Sequence, residues 1–379
     1  MIAGSVLSAA GQARWVGTWA SAPMKGMASP ALARQTLRQI VRTSVAGSQV
    51  RIRISNLFGR DPLRIEDVHL ALASTGCAII AGTDHGVRFA HRSFAVVRPG
   101  AWLASDPVRM KLPALTDVAV SFYLPDDPGL ITWHPSAHRT NYRASGDLSS
   151  RIELPDAVTT GSYYFLTGID VQGKGLTGAV VTFGASITEG YKATDNASDR
   201  WPEVLARRLA NHGLEVGVLN EGISGNRLLH AGAGPSAENR FERDVIEQPG
   251  IRWVIFADDP INDLGSTRPP PTLRALIEGT EQLITAAHRN HIRFYCSTLT
   301  PFEGANYWTP TEEVTREQFN DFIRGGSSGC DAVIDQDEIT HDPTHPTRFL
   351  PAYDSGDHPH PNDAGHRAIA DRIELSLFR

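Results

Sequence analysis

The hydrophobic period changes partway along the chain, and this change limits the fold more than any other feature. From about residue 176 onward, short apolar runs alternate with long amphipathic stretches. The apolar runs are GAVVTF, EVGVLN, RWVIFA, IRFYCST and DAVID; the amphipathic stretches are DRWPEVLARRLANH, PTLRALIEGTEQLITAAHRN and PNDAGHRAIADRIELSLF. Buried strands that alternate with helices are typical of a doubly wound parallel sheet. We therefore predict an α/β domain over residues 173–379.

Residues 14–172 carry a different pattern. Period-two alternation or short β-rich runs occur in QTLRQIVRTSV, SQVRIRIS, IEDVHLALAS, GVRFA and TDVAVSFYLP, and turn-forming clusters separate them. An all-β sandwich of the jelly-roll type is expected here. We place the boundary in VQGKGLTG, where glycines interrupt both patterns. Residues 1–13 are expected to be the remnant of a signal segment or a disordered N-terminus.

Composition excludes several classes of protein. The net charge is −6 and no block of basic residues occurs, so nothing indicates a nucleic-acid partner. No apolar run is long enough to span a membrane. The three cysteines, Cys77, Cys296 and Cys330, are too few for a disulfide framework or a thiolate metal site, although they leave room for one disulfide.

Four polar stretches follow predicted strands, where ligands of open α/β sheets bind. The first is GASITEG, in which small residues flank Ser186 and permit a sharp turn that presents its hydroxyl. A helix that begins here would also direct backbone N–H groups at the same space. The plainer interpretation is that Ser186 is a helix N-cap, and the two roles are compatible.

The second and third stretches supply candidate hydrogen-bond donors. NEGISGNR contains Gly225, whose N–H can reach an oxyanion, and DDPINDLG contains Asn262, whose amide can do the same. Taken singly, each is more simply interpreted as a turn or a helix cap.

The fourth stretch, DSGDHPHPNDAGH, places Asp357 three residues before His360. A carboxylate beside a histidine fixes the tautomer of the ring and stabilises the imidazolium, as the general base of a serine nucleophile requires. The stretch also permits two other interpretations: a capped loop rich in histidine, and a metal site formed by His358, His360 and Asp357 or Asp354.

Together the four stretches resemble, in order, the conserved blocks of the SGNH (GDSL-type) hydrolase superfamily. The resemblance covers about residues 176–379 and implies a flavodoxin-like sheet. It implies that Ser186 is the nucleophile, His360 the general base and acid, and Asp357 the residue that orients His360. The oxyanion hole would consist of the Ser186 and Gly225 N–H groups and the Asn262 side chain. No cofactor and no metal is implied.

The first half resembles the β-rich accessory domain that precedes some of these enzymes, through WVGTWASAP, RIRISNLFG and WHPSAHRTNY. Such a domain can bind glycan, narrow the mouth of the active site or support the fold. Trp133 and Tyr142 fit a sugar platform and a core position equally well. The short apolar start of the chain and the resemblance to secreted bacterial esterases favour a secreted or periplasmic protein, with a cytoplasmic one as the alternative.

The sequence departs from the family pattern at two places. Ala185 stands where the family has an aspartate that supports the nucleophile loop. Pro260 replaces the glycine of the third block and follows Asp258 and Asp259. Since proline fixes φ, we expect a reshaped loop around Asn262, and we expect the two added carboxylates to oppose anionic substrates.

The leading expectation is a serine esterase that hydrolyses short-chain acyl esters, acetyl above all, on carbohydrate. A lipid or aryl esterase, a glycan-binding protein without efficient turnover and a metal-dependent hydrolase are the alternatives. We expect a small-molecule or carbohydrate ester as the substrate, and the sequence leaves the oligomeric state open.

Overall fold

The computed structural model describes residues 14–379, so the expectation for residues 1–13 lies outside the described residues. Up to residue 172 the described chain forms antiparallel β-structure with one 3₁₀ turn at Pro30–Leu32. The strands are β1 Val16–Ala20, β2 Met24–Ala28, β3 Gln35–Arg42, β4 Gly47–Ser55, β5 Leu63–Leu72, β6 His85–Gly86, β7 Phe94–Val97, β8 Trp102–Ala104, β9 Val108–Leu112, β10 Asp117–Leu124, β11 Leu130–His134, β12 Asn141–Ser145, β13 Val158–Thr160, β14 Tyr163–Tyr164 and β15 Leu166–Gln172. The predicted all-β character of this half is confirmed.

Two large sheets of this half share one hydrophobic core. One has the order β1-β15-β4-β8, with β9 also paired to β4; the other has the order β13-β12-β3-β10-β5-β6, with β7 also paired to β5. A third, small sheet has the order β14-β11-β2. Side chains alternate between core and solvent, most regularly in β9, because successive residues of a strand face opposite sides. Of the predicted run GVRFA, however, only Gly86 lies in a strand.

The second half alternates strands and helices. Its strands are β16 Gly178–Gly184, β17 Val216–Gly222, β18 Ile251–Phe256, β19 Arg293–Ser297, β20 Ala332–Ile334, β21 His341–Asp342 and β22 His345–Phe349. Its helices are α1 Ser186–Glu189, α2 Trp201–Asn211, α3 Ala237–Phe241, α4 Asp259–Ser266, α5 Leu273–Arg289, α6 Pro310–Arg324, α7 Gln336–Thr340 and α8 Asp363–Asp371, with a π-helical turn at Glu242–Ile246 and a 3₁₀ turn at Leu375–Phe378.

Five of these strands form the predicted parallel sheet. Its order is β17-β16-β18-β19-β20. The chain therefore places β17 on one side of β16 and the later strands β18, β19 and β20 on the other side. Strand β16 is buried at every residue, as a central parallel strand requires. The order reverses between β16 and β18, and such a reversal opens a crevice at the carboxyl ends of the two strands. The predicted flavodoxin-like, doubly wound α/β fold is confirmed.

The β-rich half packs along the edge strand β17 of the parallel sheet. The Val218 N–H donates to Ser44 Oγ at 2.9 Å, and the Gly17 N–H donates to the Pro249 carbonyl at 2.9 Å. Gly217 approaches the Gly17 carbonyl so closely that a Cβ atom would lie 2.0 Å from that oxygen. Strand β15 ends at Gln172 and β16 begins at Gly178, while the domain boundary at 172/173 stays a prediction.

Three further expectations concern the cysteines, two aromatic side chains and membrane-spanning segments. Cys296 and Cys330 form a disulfide, and Cys77 is free. Trp133 and Tyr142 are both half-buried and pack against core clusters, which favours the core interpretation of both. Among the helices of residues 14–379, none combines the length and the hydropathy that a membrane crossing needs.

Candidate active site

Ser186 lies at the sharp turn where β16 passes into the short helix α1. Ala185 occupies the N-cap position and makes no side-chain capping bond, so the expectation that Ser186 caps the helix is wrong. Ser186 is the first helical residue, and the N–H of a first helical residue has no acceptor within its helix. Both its hydroxyl and its N–H therefore stay available at the end of the strand.

Asp258, two residues beyond the end of β18, holds this turn in place. One carboxylate oxygen accepts the Ala185 N–H at 3.0 Å and the Thr188 hydroxyl at 2.6 Å, and the other accepts the Ile187 N–H at 2.7 Å. The approach depends on Gly184, since a Cβ atom there would lie 2.5 Å from the Asp258 carboxylate. A carboxylate that follows the neighbouring strand thus binds the two backbone N–H groups on either side of Ser186, beside the position where the family pattern has its aspartate.

Asp259 and Pro260 begin helix α4. A proline in the first turn of a helix costs no hydrogen bond, so Pro260 is accommodated without a break. Asp258 and Asp259 are both buried, and their effect on anionic substrates stays a prediction. Burial raises the pKa of Asp259 to about 7, because it disfavours the charged carboxylate and neither oxygen has a hydrogen-bond donor. Arg240, 3.6 Å away, offsets only part of this unfavourable effect on the charged form.

Ser186, His360 and Asp357 form one hydrogen-bonded series. The Ser186 Oγ atom lies 2.9 Å from His360 Nε2, and His360 Nδ1 lies 2.9 Å from an Asp357 carboxylate oxygen. A carboxylate only accepts, so Nδ1 carries the proton and Nε2 is left to accept from the serine hydroxyl. The structure thus brings together all three residues predicted for the triad, although their catalytic roles stay a proposal.

The loop that carries Asp357 is held by polar contacts. Burial by itself raises the pKa of Asp357, but His360, the Ser355 hydroxyl at 2.9 Å and Lys192 at 3.8 Å outweigh it and lower this pKa below its usual value. The carboxylate therefore stays ionised beside the imidazole.

His358 has separate partners. Its Nδ1 atom bonds Asp354 at 2.9 Å, and its side chain is half-exposed. Within residues 14–379 we find no group of three or more His, Cys, Asp or Glu side chains arranged to hold a metal ion.

The two other predicted oxyanion donors lie in segments that contact one another. Gly225 has a φ of +76°, a conformation that favours glycine, and a Cβ atom there would lie 3.3 Å from Ala233 Cβ. Asn262, in the first turn of α4, donates one amide hydrogen to the carbonyl of Asn226 at 2.9 Å. Because an amide nitrogen carries two hydrogens, the second remains for a ligand.

Glu189, the last residue of α1, joins the nucleophile turn to the loop of Gly225. Its carboxylate accepts the Ser224 N–H at 3.1 Å and also the Ser224 hydroxyl. It lies 3.1 Å from His134 and 3.8 Å from His138, both of which come from the β-rich half. Burial disfavours the charged form of Glu189 and by itself raises its pKa. The contacts with the two imidazoles and Ser224 outweigh this effect and hold the pKa of Glu189 well below its usual value.

The ring of His134 faces an acceptor on each side. Its Nδ1 atom lies 2.9 Å from the Ala22 carbonyl, and its Nε2 atom faces Glu189. The buried imidazole therefore bridges a backbone carbonyl of the β-rich half and the carboxylate of α1. Sequence reasoning missed this contact, although GASITEG contains Glu189 and WHPSAHRTNY contains both histidines, because nothing in either segment shows that they meet.

Tyr191 is a further residue that sequence reasoning missed. Its ring meets the ring of His360 edge-on, with centroids 4.7 Å apart and an interplanar angle of 71°. It is 40% exposed, which is unusual for a large aromatic side chain, and Lys192 Nζ lies 5.2 Å from its centroid. Its place directly after GASITEG is the only signal that the sequence offers.

Comparisons with known proteins agree with this architecture. The model of the GDSL-like lipase/acylhydrolase family matches residues 182–368. No curated protein matches the sequence significantly.

Several solved structures are similar at low identity. A protein described as lipolytic and of the G-D-S-L family, from Desulfitobacterium hafniense DCB-2, shares 21% identity over 53% of this chain and 99% of its own, with a TM-score of 0.41. A lipase/acylhydrolase from Enterococcus faecalis shares 21% over 53% and 95%, with a TM-score of 0.41. An acetyl xylan esterase from Geobacillus stearothermophilus shares 20% over 52% and 92%, with a TM-score of 0.40. The match to the family model identifies residues 182–368 of this chain as a domain of the GDSL-like lipase/acylhydrolase family, a family of ester-cleaving hydrolases.

Proposed function

We propose that the protein is a serine esterase in which Ser186 is the nucleophile, His360 the general base and acid, and Asp357 the residue that orients the imidazole. The observation that carries the proposal is the series of two 2.9 Å contacts from Ser186 through His360 to Asp357. A serine becomes nucleophilic when a positioned base takes its proton, and a base works best when a third group fixes its tautomer.

The reaction has two steps. Ser186 Oγ attacks the carbonyl carbon of the ester while its proton moves to His360 Nε2, and the alcohol then leaves with that proton as its C–O bond breaks. In the second step water gives a proton to His360 and attacks the acyl-enzyme, which releases the carboxylic acid and restores the Ser186 hydroxyl. The Ser186 and Gly225 N–H groups and the Asn262 amide are the proposed donors to the negative oxygen formed in each step.

The proposed substrate is a short-chain ester, acetyl above all, of a carbohydrate. Support for the alcohol part comes from the cleft beside Tyr191, which hydroxyl, imidazole and carboxylate groups line. A lipid or aryl alcohol would instead favour an apolar wall. Export of the protein stays a prediction; the Cys296–Cys330 disulfide supports it, since disulfides persist mainly in oxidising compartments.

A fluorophosphonate probe followed by peptide mass spectrometry tests the nucleophile, and hydrolysis of p-nitrophenyl acetate tests turnover. We expect the label on Ser186 and a fall in kcat on the order of 10³-fold or more in both Ser186→Ala and His360→Ala. His358→Ala is the matched control, since His358 lies in the same loop but bonds Asp354, and it should retain near-normal kcat. A label elsewhere, or full activity in Ser186→Ala, would refute the proposal.

A further inference from the structure

We infer that the β-rich half supplies one wall of the substrate site and that this wall receives the alcohol part of the ester, a chain of hydroxylated sugar units. The inference rests on the proposed function and adds to it the place and chemistry of the leaving group. The site is the Tyr191 groove, which we define by residues 136, 138–140 and 159–161 of the β-rich half on one side and by Tyr191 and Asp195 on the other.

Tyr191 connects the groove to the reacting atoms. During acylation the leaving oxygen takes its proton from His360 Nε2, so it must lie within hydrogen-bonding distance of that atom. The ring of Tyr191 lies edge-on against His360, with 4.7 Å between the centroids, and the same ring lines the groove. An alcohol that leaves from His360 is therefore next to Tyr191, the residue that also lines the groove.

The two walls of the groove are fixed to one another by hydrogen bonds. The Thr140 N–H donates to Asn196 Oδ1 at 2.8 Å, and Asn196 Nδ2 donates to the Thr140 hydroxyl at 3.0 Å. His138 Nδ1 lies 3.1 Å from the Asp195 carboxylate. Because both contacts join the β-rich half to the loop after Tyr191, the groove is preformed, and a ligand need not order it.

The chemistry of the lining matches a polyhydroxylated, uncharged ligand. Thr140, Thr159 and Thr160 provide hydroxyls, which both donate and accept hydrogen bonds, and Tyr191 provides an apolar ring face with a polar tip. Asp195 is largely exposed and carries the negative charge of the groove, whereas the guanidinium of Arg139 is buried against Asp117 and Glu203, so the groove would oppose an anionic alcohol. A volume of about 430 Å³ lies within the range of small-molecule sites.

Strand β13 offers a variant and a matched control for the test. Thr159 is exposed and lines the groove, whereas Val158 is exposed on the same strand and does not line the groove. Thr159→Trp should block the groove, and Val158→Trp should add the same side chain outside it. The substrates are a short acetylated xylo-oligosaccharide and p-nitrophenyl acetate, whose alcohol is too small to need the groove.

We expect Thr159→Trp to raise KM for the oligosaccharide about tenfold or more, which is a loss of about 1.4 kcal/mol in binding, and to change kcat/KM for p-nitrophenyl acetate less than about twofold. Val158→Trp should change neither. An equal loss on both substrates, an equal effect of Val158→Trp, or wild-type turnover of p-nitrophenyl acetate without turnover of the oligosaccharide would overturn the inference. Wild type that fails to hydrolyse either ester would instead refute the proposed function.

Discussion

Replacing Asp258 with asparagine tests whether the carboxylate that follows β18 holds the nucleophile turn. One oxygen of Asp258 accepts two hydrogen bonds and the other accepts one. An asparagine must place its NH₂ group at one of these two positions. The Thr188 hydroxyl can rotate and accept from an NH₂ group, but the backbone N–H of Ala185 or Ile187 cannot. Whichever way the amide turns, one buried N–H loses its acceptor.

The expected cost follows from that unpaired N–H. Leaving a buried donor without an acceptor costs about 1–3 kcal/mol in the free energy of unfolding, and the remaining bonds weaken because the acceptor loses its charge. The two N–H groups lie immediately before and after Ser186, so their movement shifts the nucleophile. A misplacement near 1 Å costs on the order of 100-fold in rate, and we expect kcat/KM to fall about 10- to 100-fold.

Urea unfolding and hydrolysis of p-nitrophenyl acetate measure the two effects separately. Thr188→Val is the matched control, because it keeps the shape of the side chain and both backbone bonds while it removes the third bond to Asp258. It should cost about 1 kcal/mol of stability and leave kcat/KM within a few-fold of wild type. Asp258→Asn with normal stability and activity, or Thr188→Val as harmful as Asp258→Asn, would show that the carboxylate does not position Ser186.

Two further predictions concern other buried carboxylates. The pKa of Asp259 is about 7 in the folded protein and near 4 in the unfolded chain, so its ionisation lowers stability progressively as the pH rises through that window. Asp259→Asn should therefore match wild type in urea unfolding near pH 4 and exceed it by up to about 4 kcal/mol near pH 8; parallel stability curves would contradict this. Glu189→Gln loses one acceptor, either for Ser224 or for an imidazole. The kcat on p-nitrophenyl acetate should therefore fall roughly tenfold with KM little changed. A change in KM alone would exclude a positioning role for Glu189.

Much of the α/β half could be predicted because its information is local. Apolar runs followed by polar turns mark the carboxyl ends of β16 and β18, and the three-residue spacing of Asp357 and His360 allows both to lie in one loop. Helix α6 went unpredicted since its buried face is largely charged: Glu313 and Arg316 bond each other, and so the apolar period is weak.

The contacts that sequence reasoning missed join distant segments. The expectation that Ser186 caps α1 failed because Asp258, 72 positions later in the printed sequence, accepts the N–H groups at the start of that helix. The contact of His134 with Glu189 depends in the same way on how two separately folded layers meet. No period or spacing within either segment encodes such a meeting, so only the assembled structure reveals it.

The packing of the β-rich half against β17 also bears on aggregation. An uncovered edge strand presents a row of unpaired N–H and carbonyl groups to other chains, which makes it a template for intermolecular pairing. Ser44 binds the N–H of Val218 in this edge strand, and the backbone of Gly17 packs against Gly217. These contacts leave too little space for a strand of another chain. The β-rich half thus shields the β17 edge of the α/β sheet from pairing with a strand of another copy.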